Sequence, residues 1–406
     1  MDEPAALFLT SPEGVPVLER AASLPGDKAG RVLALRRGGD VAPNIAALAA
    51  EIAVSRERAA RRGFADAECL FFTGDALAQA TSPALSHYRA EWLARFETVA
   101  DLCCGVGMDA IALAAAGLSV VAVDIDPVRL CFARANAAVR GVAERITFLQ
   151  EPVESLGWTN YGVNTAFFDP ARRTDAGRVS RYGDRYAPPL DFLHTIRQHV
   201  RGGCAKLSPA LPDDVLRELS PSRVEFLSEN RECKEACVWF GEAYGESSMD
   251  DPFTAVLLGG VIPRWLQGGP EYDAPAPKPG AYLLDPDPAL IRAAAWGAAF
   301  FSLDSTLWSA NDAYLATDTL PTEAGDGMAS VYRVVEALPY APKRVKAWLA
   351  ENGYGRIVVK KRHFPQEPDA VARELGVSVR GAGREITLVL VRESANRFTA
   401  VFCEPV

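Results

Sequence analysis

An α/β fold built on a parallel sheet is expected for the middle of this chain, with a mainly helical region before it and an α+β domain after it. Three observations carry that expectation. The first is Val99–Pro127, VADLCCGVGMDAIALAAAGLSVVAVDIDP, which reads as strand, glycine turn, helix, strand and acid. A strand–helix–strand unit of this size implies parallel strands and a right-handed crossover. The second is the recurrence of apolar runs of strand length at Ile146–Leu149, Val163–Phe168 and Cys204–Leu207, spaced by helical patterns. The third is the proline- and glycine-rich stretch Gly268–Gly280, GGPEYDAPAPKPG, which has linker composition. The expected division is a helical region over 1–96, a cofactor-binding domain over 97–265, a linker over 266–281 and an accessory domain over 282–406.

The chain has 406 residues, enough for two or three domains, and its 49% hydrophobic and 23% charged residues are globular values. No apolar run reaches the roughly 18 residues needed to span a bilayer. The start, MDEPAALFLT, lacks the basic region of a secretory signal, so a soluble cytoplasmic protein without membrane partners is expected. The cysteines form no Cys-x-x-Cys pair and histidines are few, so no metal site is expected. Net charge is −9, so any nucleic-acid contact must rest on local basic patches. Oligomeric state is not readable from the sequence.

Taken in order, residues 1–40 carry no clear period and are left unassigned. Pro43 starts a helix to about Arg62, with Ile45, Leu48, Ile52 and Ala59 near one face and the arginines solvated. Ser82-Pro83 reads as an N-cap and first helical residue of a helix to Phe96. Val99–Leu102 is the first strand, and Gly105 and Gly107 break it, because glycine tolerates positive φ and lets backbone approach a ligand. Met108–Ala116 is a helix closed by Gly117. Leu118–Val123 is the second strand and ends on Asp124. Asp126-Pro127 opens the next helix, closed by Gly141, before the third strand at Ile146–Leu149.

Val163–Phe168 is the fourth strand, followed at once by Asp169-Pro170-Ala171-Arg172. Pro188–Val200 reads as a helix and Cys204–Leu207 as a fifth strand. Val224–Leu227, Ala236–Phe240 and Thr254–Leu258 complete the β content of this part. Beyond the linker, Pro288–Ala299 and Ala341–Glu351 read as helices, and Arg356–Lys360, Ile386–Val391 and Thr399–Cys403 as strands. Lys360, Lys361 and Arg362 form the one basic stretch of that domain.

The glycine turn fits G-x-G-x-x-[GA], and Asp124 lies 19 residues past Gly105, a spacing shared with dinucleotide sites. Asp101 discriminates, because it stands at the end of the first strand, where a pyrophosphate would sit. A carboxylate there repels phosphate by roughly 4 kcal/mol per charge pair at about 4 Å and an effective dielectric of about 20. It attracts an ammonium group instead. S-adenosylmethionine carries an ammonium and a sulfonium and no phosphate, so it is the expected cofactor. Asp124 would accept both ribose hydroxyls.

DLCCGVG and VVAVDIDP resemble the cofactor motifs of class I S-adenosylmethionine-dependent methyltransferases. The run from Asp101 through GVAERITF resembles the core of trimethylguanosine synthase-like enzymes. The order of segments over the whole chain resembles bacterial methyltransferases with a THUMP-like C-terminal domain. These resemblances imply a Rossmann-like sheet, with four α/β units followed by an antiparallel pair. They also imply cofactor contacts from Cys103 and Ile125, and a covering element whose Thr81-Ser82-Pro83 turn faces the site. Related enzymes often bind the adenine amino group with an acid just past the third strand. Pro152 falls at that place here, and Glu151 or a backbone group is left for the role.

Asp169-Pro170 matches the first half of the [DNS]-P-P-[YFW] motif of enzymes that methylate amino groups on nucleobases. In that motif the acid and the proline carbonyl orient the acceptor amine. Ala171 and Arg172 depart from the second half, so the stacking aromatic is lost there. Arg172, Arg173 and Arg181, with Arg178 and Arg185 in the same loop RRTDAGRVSRYGDR, are the candidates for phosphate contact, with Tyr182 and Tyr186 as replacement stacking surfaces. Lys206, set among apolar residues, either faces the substrate or reaches solvent. The expected function is methylation of a nucleobase amino group in RNA. The alternatives are a small-molecule or protein methyltransferase, or a non-catalytic scaffold that keeps the cofactor fold.

Overall fold

The computed structural model describes residues 2–37, 39–172, 185–244, 253–260, 262–268, 280–300, 303, 305–309, 312–321 and 327–406. The chain forms two compact units, one of 1–224 with 235–252 and one of 225–234 with 253–406.

The first unit begins with helices α1 (Glu3–Leu9), α2 (Val15–Ser23), α3 (Lys28–Arg36) and α4 (Pro43–Arg61), then α5 (Gly74–Gln79) and α6 (Pro83–Leu93). The first three occupy the stretch in which the sequence shows no period. At 7 and 9 residues they hold too few turns for one to stand out. Local capping and tertiary burial make them: Asp2 and Asp27 accept from the amides of Ala5 and Gly30. Leu9, Leu18 and Leu35 join Ile52 and Phe132 in one apolar cluster. Arg58, Arg61 and Arg62 are exposed, as expected, while Arg56 is half-buried. Arg56 Nε donates to Leu70 O at 2.7 Å, and Arg62 Nη2 to Ala80 O at 2.9 Å.

Next come β1 (Thr98–Leu102), α7 (Met108–Ala115), β2 (Ser119–Asp124), α8 (Pro127–Val139), β3 (Ile146–Gln150) and β4 (Thr165–Phe168). A short pair, β5 (Ala171–Arg172) with β6 (Tyr186–Ala187), precedes α9 (Phe192–His199), β7 (Gly202–Leu207) and α10 (Asp213–Glu218). The strands β8 (Arg223–Glu229) and β9 (Glu232–Gly241) follow. The expected helix over Pro188–Val200 begins only at Phe192, since Pro189 pushes the residue before it out of the helical region. In the first unit the sheet runs β9-β7-β4-β1-β2-β3, all parallel except β9 against β7.

Strand order reverses at β1, whose neighbours are β2 on one side and β4 on the other. Ligands bind in such sheets beyond the carboxyl ends of the strands at the reversal. The loop that fills this position is fixed by two devices. Asp126 caps α8 by accepting from Val128 N at 2.9 Å and Arg129 N at 3.2 Å. Asn136, fully buried on α8, donates to Val106 O at 3.0 Å and exchanges bonds with the backbone of Phe71 at 2.7 and 3.1 Å.

The second unit holds β10 (Phe253–Leu258), β11 (Arg264–Leu266), β12 (Tyr282–Pro286), α11 (Pro288–Arg292), α12 (Trp296–Ala299), β13 (Ser305–Ser309) and β14 (Asp312–Thr317). They are followed by β15 (Ala329–Pro339), α13 (Pro342–Glu351), β16 (Arg356–Lys361), α14 (Pro368–Leu375), β17 (Glu385–Ser394) and β18 (Arg397–Pro405). The expected single helix over Pro288–Ala299 splits in two, with Ala294 at φ 50° between the pieces. A sheet of order β13-β14-β12-β15-β18-β17-β16 forms the body of the unit, with β16 and β17 parallel. One apolar cluster joins α13 and α14 to this sheet through Val345, Leu349, Val371, Leu388 and Phe402. Among the described residues no helix is long and apolar enough to cross a membrane.

Candidate active site

The carboxyl ends of β1, β2, β4 and β7 bring together Asp101, the Gly105–Gly107 loop, Asp124, Asp169 and Lys206, as the sheet order requires. The loop leaves β1 with Cys103 at φ 68°, Gly105 at φ 57° and Gly107 at φ 83°. Amides of Cys103 and Cys104 both donate to Val123 O, at 2.9 and 3.0 Å, which ties the loop to β2. A Cβ on Gly107 would meet the Cβ of Ala133 at 3.0 Å, so α8 would have to give way slightly to admit one. Gly105 faces open space.

Asp124 is held by backbone. Its Oδ2 accepts from Gly105 N at 2.8 Å and its Oδ1 from Asp126 N at 2.9 Å. Each carboxylate oxygen keeps a second lone pair, enough for two hydroxyls. Ile125, next to it, is 69% exposed, and Cys103 is half-buried. Burial pushes the Cys103 thiol up, with Asp124 and Asp169 adding to the effect, so it stays protonated.

Asp101 is fully buried, and neither carboxylate oxygen has a hydrogen-bond partner among the described residues. Burial raises its carboxyl well above the usual carboxylate range, and the nearby charges of Asp109 and Asp169 add to this. Buried polar groups without partners are rare and call for an explanation. An ammonium group supplies the donors and the charge that this carboxylate lacks, so the residues here fit S-adenosylmethionine.

Asp169 follows β4, with its amide donating to Leu102 O at 3.1 Å. Lys206 Nζ donates to Asp169 Oδ2 at 2.6 Å and to Thr81 Oγ1 at 3.1 Å. Asp169 Oδ1 carries no hydrogen bond to any described residue. Burial raises the Asp169 carboxyl above its ordinary value, against the pull of Lys206. Burial works to lower the Lys206 ammonium, but Asp169, Asp109 and Glu235 outweigh it and hold the group charged. Lys206 thus faces the site.

Thr81 does belong here, but as a bridge inside the polar network. It accepts from Lys206 and hydrogen-bonds Asp109. Behind it lies a buried ion cluster that the sequence did not reveal. Arg89 on α6 donates to Asp109 on α7 and to Glu235 on β9, and its guanidinium lies 4.7 Å from the Phe167 ring centre. Burial works to raise Asp109, but Arg89 and Lys206 hold its carboxyl below the usual value. The available signal was a charged residue inside an apolar pattern: Arg89 between Leu85 and Leu93, and Glu235 ahead of Ala-Cys-Val-Trp-Phe.

Arg172, beside Pro170, is exposed and only 3.5 Å from Ser208 Oγ at Nη1. Tyr186 does not serve as a stacking surface. It is 3% exposed, and its hydroxyl accepts from Ser208 N at 3.2 Å, which fixes the ring in the core. Arg173, Arg181 and Tyr182 lie outside the described residues. Cys237 meets Cys204 in the sheet, with their sulfurs 3.2 Å apart.

Comparison with known proteins agrees with this architecture. Residues 99–169 match the family described as a methyltransferase domain, and residues 329–405 the one described as THUMP domain-like. Uncharacterized S-adenosylmethionine-dependent methyltransferases from two strains of Mycobacterium tuberculosis are 30% identical over 346 residues, covering 82% of this chain and 88% of theirs. A solved structure of a candidate methyltransferase from Porphyromonas gingivalis W83 superposes with a TM-score of 0.72 at 18% identity. It covers 100% of this chain and 99% of its own.

Proposed function

The chain belongs to the S-adenosylmethionine-dependent methyltransferases, and from that premise we propose that it methylates an amino group of a nucleobase in RNA. S-adenosylmethionine supplies an electrophilic methyl group; the chain holds the donor and presents the acceptor. In this reading Asp101, Gly105 and Gly107 take the methionine end, Asp124 takes the ribose hydroxyls, and Cys103, Ile125 and Thr81 border the donor. Asp169 Oδ1 and the Pro170 carbonyl accept the two N–H bonds of the acceptor amine. That arrangement aims the nitrogen lone pair at the methyl carbon, which must come within about 3–3.5 Å in line. Asp169 then takes the proton that the methylated nitrogen sheds.

The observation that carries the reading is Asp169: it follows β4 at the strand-order reversal, with Oδ2 held by Lys206 and Oδ1 without a hydrogen bond to any described residue. Exposed Arg172 beside it supports a phosphate contact, with Arg173 and Arg181 as further candidates for that contact and Tyr182 as the candidate stacking surface. The THUMP-like match of residues 329–405 supports RNA as the substrate class. A cytoplasmic location goes with that substrate.

The test is transfer of labelled methyl groups from S-adenosylmethionine to small RNA, large RNA, DNA and protein extract from cells lacking the gene. Label in one RNA fraction, lost with Asp169→Ala while cofactor binding is kept, is the expected result. Label only in protein or small molecules would overturn the RNA acceptor, and no label in any fraction would favour a binding scaffold.

A further inference from the structure

Lys206 faces the charges of two aspartates and is bonded to one of them. Its ammonium has three donors. They reach Asp169 Oδ2 at 2.6 Å, Thr81 Oγ1 at 3.1 Å and the carbonyl of Gln79 at 3.5 Å. Asp109 also acts on the ammonium through its charge, but among the described residues Lys206 pairs directly with Asp169 alone. Coulomb attraction does not make that choice by itself, since each aspartate carries one charge. One neutral group links the ammonium to Asp109: the Thr81 hydroxyl, which hydrogen-bonds both.

The direction of these bonds is fixed by their chemistry. An ammonium only donates, an ionised carboxylate only accepts, and a hydroxyl does both. Arg89 and Lys206 hold Asp109 ionised. Lys206 therefore donates to Thr81, and Thr81 donates to Asp109. Arg89 donates to Oδ1 of the same carboxylate, so Asp109 is served without direct contact from the lysine. The hydroxyl itself is held in place. Thr81 is 4% exposed and lies in the turn between α5 and α6. Arg62, at the end of α4, donates to Leu77 O and Ala80 O and so anchors that turn. Branching at Cβ leaves the threonine few rotamers.

We infer that Thr81 is a positioning residue: its hydroxyl turns the Lys206 ammonium onto Asp169 rather than Asp109, and thereby sets which oxygen Asp169 presents to the acceptor. The inference rests on the proposed role of Asp169 in holding the acceptor amine. Without the hydroxyl, one lysine donor loses its partner, and a buried donor without an acceptor is costly. Asp109 loses a donor in the same step. A shift of the ammonium towards Asp109 recovers both losses, and Asp169 Oδ2 is then released. Cofactor affinity separates this role from a direct contact between Thr81 and the methyl donor, because only the direct contact would change it.

The experiment compares two variants of the full chain. Thr81→Val keeps the shape and removes the hydroxyl, whereas Thr81→Ser keeps the hydroxyl. Three quantities are read: methyl transfer from S-adenosylmethionine to the RNA fraction that takes label, S-adenosylhomocysteine affinity by calorimetry, and the NMR signal of the Lys206 ammonium in protein carrying isotope-labelled lysine. Lys206→Met assigns that signal. Thr81→Val is expected to lower kcat about 5–20-fold, with the KM for RNA and the S-adenosylhomocysteine affinity changed less than about 3-fold. The acid limb of kcat/KM should move to higher pH, because Asp169 loses the cation that favours its ionised form. The Lys206 signal should shift or broaden. Thr81→Ser should stay within about 2-fold of the wild type in kcat and keep the limb in place. Wild-type kcat and acid limb in Thr81→Val would overturn the inference. So would a loss of S-adenosylhomocysteine affinity of about 10-fold or more with kcat kept, which would make Thr81 a cofactor contact. If Thr81→Ser lost as much kcat as Thr81→Val, the hydroxyl would not be the positioning group. If the wild type labelled no RNA, the RNA-acceptor reading would fail by itself. An unchanged Lys206 signal in Thr81→Val would then still overturn the inference, and a moved signal with lower transfer to the fraction that does take label would uphold it.

Discussion

Lys206 Nζ lies 2.6 Å from Asp169 Oδ2, joining the end of β7 to the residue that follows β4. The pair sits at the mouth of the sheet, with the lysine side chain 16% and the aspartate 30% exposed. Lys206 fixes one oxygen of Asp169, and in the proposed function the other takes the acceptor amine. Lys206→Met should lower methyl transfer at least about 10-fold while changing S-adenosylhomocysteine affinity less than about 3-fold. Burial already holds the Asp169 carboxyl above its ordinary value, and losing the lysine raises it further. Ionised Asp169 is the acceptor form, so activity falls as pH drops through its pKa. The acid limb of kcat/KM should therefore lie above the ordinary aspartate range in the wild type and move to higher pH in the variant. A purely structural lysine would shift Tm and leave that limb in place.

Burial raises the Asp101 carboxyl well above the usual range, which favours its neutral form, and neither oxygen has a hydrogen-bond partner among the described residues; an incoming ammonium favours the ionised form. Binding of S-adenosylmethionine should release a proton, read by calorimetry in buffers of different ionisation enthalpy, and tighten as pH rises. The stability sign follows from the same shift. A carboxyl with a folded pKa above its unfolded one stabilises below the unfolded pKa and loses that contribution as pH rises through the folded pKa. Asp101→Asn should thus bind the cofactor at least about 10-fold more weakly, yet melt at a higher temperature than the wild type. That gain should grow towards alkaline pH.

Arg89 joins α6 to α7 and β9 through Asp109 and Glu235, with a side chain 2% exposed. Removing one partner of a buried ion cluster leaves uncompensated charge. Arg89→Met should cost about 3–5 kcal/mol in urea unfolding. If the loss were below about 1 kcal/mol, the cluster would not be holding α6 in place.

Gly105 and Gly107 separate backbone strain from crowding. Both have positive φ, which costs a non-glycine residue about 1–2 kcal/mol. Only Gly107 also meets a neighbour, the Ala133 Cβ at 3.0 Å. Gly107→Ala should therefore destabilise more than Gly105→Ala and displace α8 from the loop. Equal losses in thermal unfolding would show that crowding adds nothing.

The cofactor half of the protein is legible in the chain before it folds. Asp101, the Gly105–Gly107 turn, Asp124 and the Asp126 cap lie in one short stretch, and local rules of strand, turn and helix place them with no distant contact. The sheet and its C-terminal-edge site follow from that unit. Everything else depends on which distant segments meet. Lys206 could face either way until β7 was set beside β4, and Arg89, Asp109 and Glu235 are far apart in the chain. Their charges become a cluster only when α6, α7 and β9 come together. Helices α1 to α3 escaped reading for a related reason: short elements owe their stability to the apolar cluster they join, and no window of sequence contains that cluster.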